Sequence, residues 1–214
     1  MASYKAIAAV GQTIVEILNA THQAEKLTQP ETWDLADATF ALFEAADFTK
    51  ANNDKLPSKG ATVYLYRVGV NANTRNLPAR KDAEGKSFYP SLPLDLYFLV
   101  TPWASDAGTQ YYVLGWVMRA LENIHHIPAV LLNESMNNEH VFFPDESIEL
   151  IFDPLPLSEM SILWENLKTE KILPSVTYVV RRVLIDSMVE FPVGRPVQTR
   201  DMDMRKVVDE TARA

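Results

Sequence analysis

Glu122, His125 and His126 stand three and four positions apart near the middle of the sequence. On a helix that spacing gathers a carboxylate and two imidazoles on one face, the donor types a zinc or iron site uses, with His140 available as a fourth ligand. A structural account competes with this one: imidazoles in the last turn of a helix bond its free carbonyls and sit favourably at its negative end. A second candidate is Asp95, a carboxylate inside the apolar run "LDLYFLV". Burial there would raise its pKa and suit it to proton transfer, while its place at the start of the run equally lets it reach solvent. Trp103, Trp116 and Trp164 carry rings that could stack on a base or a sugar. Each lies in an apolar context without basic neighbours, which favours core packing or a subunit contact.

Most other chemistry is excluded by composition. The chain has no cysteine, so thiolate catalysis, disulfides, iron-sulfur clusters and thiolate zinc sites are out of reach. Its seven glycines are scattered singly, and no Walker loop, G-x-G-x-x-G, G-x-S-x-G or H-E-x-x-H motif occurs. A net charge of -8 repels a phosphate backbone, and no cluster of Lys and Arg reverses it locally, so nucleic acid is not an expected partner. No window approaches 18 consecutive apolar residues, so no membrane partner is expected. The opening stretch "MASYKAIAAVGQTIVEILNA" is broken by Gln12, Thr13 and Glu16 and is read as part of the mature chain, assembled in the cytoplasm. No catalytic residue, metal or cofactor is assigned.

The elements that would position these residues follow from periodicity. Ile7, Val10, Ile14, Ile17 and Leu18 recur at helical spacing and predict a helix from Ser3 to before Pro30. "TFALFEA" and "TVYLYRVGVNANTRN" predict two strands joined by a polar loop, the second with Tyr64, Tyr66, Val68 and Val70 on one face. Residues 73–91 are read as an exposed excursion and "LDLYFLV" as a central strand covered on both faces. A long helix starts near Asp106 or Thr109 and ends before Pro128. "AVLL" is expected to be extended, "ESIELIFD" a strand, Ser158 the cap of a short helix through Leu167, and "SVTYVVRRVLIDS" a last long strand. The expected fold is α+β: a mixed, largely antiparallel sheet packed with about three helices over residues 1–187, followed by an extended C-terminal arm over 188–214.

The long helix is apolar on more of its circumference than a sheet needs to cover. Tyr111, Leu114, Met118 and Leu121 form one stripe and Val113, Val117, Ala120 and Ile124 another, which predicts a second body over it, from this domain or from a neighbour. The ordered segments "PLDLYFLVTPWA", "QYYVLGWVMRALENIHHIPAVL", "IELIFDPLPLSEMSILWENL" and "ILPSVTYVVRRVLIDS" resemble the tail-terminator (cap) proteins of extracellular contractile injection systems, the phage-tail-like particles of the antifeeding-prophage and virulence-cassette type. The resemblance implies a terminator-like α/β fold and a ring of six copies. That ring would be seated on the inner tube protein and in contact with the last layer of sheath protein, in a phage-tail-like particle for which both release from the cell and anchoring to a membrane stay open. It carries no catalytic residues. Within it, Tyr112, Trp116 and Arg119 are the expected subunit contacts, and Phe191, Val193, Arg195, Val197 and Arg200 the arm's contacts with tube or sheath. The alternatives are a small metal-dependent enzyme built on Glu122, His125 and His126, or a monomeric adaptor.

Overall fold

The structure, a computed structural model, describes residues 4–28, 34–49, 55–82, 84–137, 139–169 and 172–192. Helix α1 (Ala6–Thr28) buries Ala6, Ala9, Val10, Ile14, Ile17 and Leu18 at helical spacing, with Thr13 and His22 the polar residues buried beside them. Strand β1 (Thr39–Phe43) follows, then β2 (Gly60–Val70) and, within the excursion, a two-stranded sheet of β3 (Arg80–Lys81) and β4 (Ser87–Phe88). Strand β5 (Leu92–Trp103) leads into α2 (Ala107–Glu122), whose first turn is capped by the Asp106 carboxylate accepting from the Thr109 N–H at 2.9 Å. The chain continues through β6 (His126–Pro128), α3 (Ala129–Glu134), β7 (Ser147–Phe152), α4 (Leu157–Asn166) and β8 (Val176–Ile185).

The main sheet runs β1-β2-β5-β8-β7-β6, antiparallel throughout except for the parallel β1-β2 pair. One face carries Val63, Leu96, Phe98, Val100, Val180 and Leu150, and these pack with α1, α2 and α3 into the larger core. The other face carries Leu99, which packs with Trp164 and Leu167 of the α4 segment and with Phe48, Tyr64 and Tyr66.

Two bulges bend the sheet: β2 carries an extra residue between Leu65 and Arg67, and β8 carries one between Val180 and Val183, opposite Leu94–Leu96 of β5. Asp95 of β5 faces the second bulge. Its carboxylate accepts from Asn71 Nδ2 at 3.0 and 3.1 Å and from the N–H of Arg182 at 3.2 Å, where β8 has a left-handed φ of 61°. The Asp95 carboxylate thus ties β5 to β8 and to the turn that follows β2.

Several expectations are corrected. "AVLL" is not extended but opens α3, because a short apolar run suits a buried helix as well as a strand. Ser158 lies inside α4, whose N-cap position is Pro156. The alternation of Tyr64, Tyr66, Val68 and Val70 is broken by the bulge, leaving Val68 and Val70 about half exposed at 46% and 50%. The excursion is not featureless: Ser87 and Phe88 are buried, and Glu190 bridges Phe88 from the far end of the chain.

Gly60 opens β2 at a φ of 144°, and a Cβ there would stand 1.8 Å from the carbonyl oxygen of Thr39 on the paired strand. Gly60→Ala is therefore expected to lose at least about 2 kcal/mol of stability through strain and clash, read as a lower urea midpoint; an unchanged midpoint would contradict this pairing.

Candidate assembly surface

Helix α2 buries Val113, Val117, Ala120 and Leu121 against the sheet. Its opposite face holds Tyr111 and Tyr112, 61% and 60% exposed, followed by Gly115 and the exposed Arg119. Trp116 lies between the two faces. Its ring stacks on Phe40 at 5.2 Å, meets His22 edge-on at 6.0 Å, and donates from Nε1 to the Glu25 carboxylate at 2.7 Å. Of the three expected contact residues, Tyr112 and Arg119 face outward, while the Trp116 ring locks α2 onto α1 and β1.

A second uncovered apolar surface surrounds α4, and sequence reasoning missed it. Leu157, Ile162 and Ile172 are 78%, 57% and 58% exposed. Clefts of about 240 and 310 Å³ flank the helix, one against Tyr66 and Arg67, the other against Leu173 and Pro174. Beneath the helix, burial pushes the Tyr66 phenol up to about 12. The signal available in the sequence was the excess of apolar residues in "LSEMSILWEN", of which only Trp164 is buried.

The metal candidates do not assemble. Helix α2 stops at Glu122, and His126 belongs to β6, opposite Glu149, so neither imidazole lies in a last helical turn and the spacing argument fails. His125, His126 and His140 are all exposed, and no group of three His, Asp or Glu side chains among the described residues could hold a metal. A cleft of about 300 Å³ does lie beside His126, lined also by Glu146, Glu149 and Arg181, but its charged groups are tied to sheet edges and turns. The Glu146 carboxylate accepts from the Phe143 N–H at 2.8 Å. Of the tryptophans, Trp164 is fully buried and Trp103 donates to the Thr62 hydroxyl at 2.9 Å, both serving packing.

The arm residues begin against the excursion. The Tyr89 N–H donates to the Val189 carbonyl at 3.1 Å and the Phe191 N–H to the Ser87 carbonyl at 2.6 Å, while the Tyr89 and Phe191 rings meet edge-on at 5.1 Å. Val193, Arg195, Val197 and Arg200 lie outside the described residues.

A mostly antiparallel sheet with α1, α2 and α3 on one face and α4 on the other makes this an α+β domain. The chain belongs to the Pvc16 N-terminal domain family, whose sequence profile matches residues 9–199. It is also similar to two solved structures. One is the sheath/tube terminator of the PVC extracellular contractile injection system in its extended state, at 15% identity and a TM-score of 0.46, covering 92% of this chain and 64% of that one. The other is the tube-terminating cap of the anti-feeding prophage, at 16% identity and a TM-score of 0.49, covering 78% and 56%. The chain thus spans less than two thirds of the length of either. No curated protein matches it in sequence.

Burial holds the Glu146 carboxyl above the usual range, and Asp186 adds to the effect. A carboxyl with a raised folded-state pKa favours the fold most at low pH and loses that contribution as pH rises through the raised value. Glu146→Gln, which keeps an acceptor for Phe143, should match the wild-type melting temperature near about pH 4 and exceed it by about 1–3 °C near about pH 8 in a thermal-shift series.

Proposed function

We propose that this chain is the structural cap of a contractile injection system. Six copies form a ring that sits on the last ring of the inner tube and touches the final layer of sheath. The ring's lower face matches the growing tube and its upper face does not, so polymerisation ends there without any bond being made or broken. The observation that carries the reading is family membership across residues 9–199. It is supported by apolar surface that the described residues leave uncovered on two helices.

In this reading Tyr112 and Arg119 meet the neighbouring copy directly, and Trp116 contributes by holding α2 in place. Phe191, anchored beside β4, starts the arm whose Val193, Arg195, Val197 and Arg200 reach tube or sheath, where an extended segment can add a strand to an open sheet edge. The ring is assembled in the cytoplasm, and the finished particle acts outside the cell. Nucleic acid has no part in it, since the net charge of -8 repels phosphate.

Deleting the gene is expected to give tails of irregular length or unstable ends under negative stain, restored when the chain is supplied again. Tails of normal length and stability from the deletion strain would overturn the proposal. Protein purified without a histidine tag should carry no stoichiometric zinc or iron by elemental analysis; one bound ion per chain would revive the metal-enzyme account.

A further inference from the structure

We propose that neighbouring copies meet by seating helix α4 of one in a notch on α2 of the next. The Tyr111 and Tyr112 rings then enter the two apolar clefts beside α4. This rests on the cap reading and names its subunit contact.

The notch is Gly115. A glycine in a helix interior destabilises that helix relative to alanine, and close approach of another backbone is one condition that requires it. Among the described residues nothing outside the helix makes that approach, because a Cβ built on Gly115 meets no atom within 4 Å. Tyr111 and Tyr112 precede it by four and three residues, so their rings stand on either side of the gap one turn away. Tyrosines exposed this far are typical anchors of protein interfaces, since a large rigid ring orders at little entropic cost.

The matching body is on the opposite face of the sheet. Helix α4 presents Ile162 and Leu157 as an exposed apolar ridge, with a cleft of about 240 Å³ on its β2 side and one of about 310 Å³ on its β8 side. Charge agrees: Arg119 lies past the notch and Glu159 at the mouth of the first cleft, and neither makes an ion pair among the described residues. Because the two surfaces differ and lie on opposite faces, joining them is a head-to-tail contact, the kind that closes rings rather than two-fold dimers.

The absence of native cysteine makes the test direct. Full-length Tyr112→Cys/Ile162→Cys is produced with the tube and sheath proteins, and purified particles are treated with a short bismaleimide. A ladder of covalent multimers is expected from the double variant and only monomer from either single variant. Dimers from Tyr112→Cys alone would mean that like faces meet and would overturn the proposal. A double variant retained at particle ends like the wild type but giving no ladder overturns this contact and leaves the cap reading standing; absence of the wild-type chain from particle ends overturns both. Gly115→Leu should melt no lower than wild type, since a Cβ there meets nothing among the described residues and leucine favours a helix over glycine, yet be lost from particle ends. Retention at the wild-type level would dismiss the notch.

Discussion

The strand β5 is apolar on both faces, and that one fact sets the demands on everything around it. Leu96, Phe98 and Val100 must be covered on one side and Leu99 on the other, each burial contributing roughly 1.5–3 kcal/mol. Three helices, α1, α2 and α3, cover the first side. The second is covered by α4 and the segments around it, anchored by Trp164 and Leu167. Neither side is fully satisfied: the Trp164 indole N–H and the Tyr66 hydroxyl on the second, and the Tyr178 hydroxyl on the first, are buried with no hydrogen-bond partner among the described residues, and each such group costs stability. The first face is closed by three helices and the second by one, around which Leu157, Ile162 and Ile172 remain exposed.

Much of this was legible in the sequence where a long pattern carried it. The 3.6-residue period of α1, the Asp106 cap of α2 and the continuous apolar run of β5 each rest on many residues pointing the same way. Short or interrupted patterns were not legible. "AVLL" is too brief for its period to separate strand from helix, and the bulges at Tyr66 of β2 and between Val180 and Val183 of β8 invert a strand's faces without leaving a compositional mark. The parallel pairing of β1 with β2 was equally invisible, since pairing direction depends on a partner and not on a strand's own residues.

The candidate surface was readable in half. The apolar excess on α2 led to the expectation of a second body over it; Tyr112 and Arg119 face outward, and their contact with a neighbouring copy stands as a proposal. Trp116 shows why side-chain type alone misleads: the same residue that marks an interface in many proteins is here engaged by Phe40, His22 and Glu25 of its own chain. The histidines misled for the opposite reason. Their spacing is meaningful only on a continuous helix, and α2 stops before either of them.

The position of β8 governs when the domain can exist at all. It is the last strand among the described residues, yet it occupies the middle of the sheet, with Leu96 of β5 paired to Val180 and Leu150 of β7 on the other side. Closing contacts so distant in sequence is slow, and until β8 arrives β5 and β7 each present an open edge liable to stray pairing. A chain still being synthesised holds two unfinished half-sheets, so folding waits for residue 185 to leave the ribosome and is then completed in a single insertion at the centre.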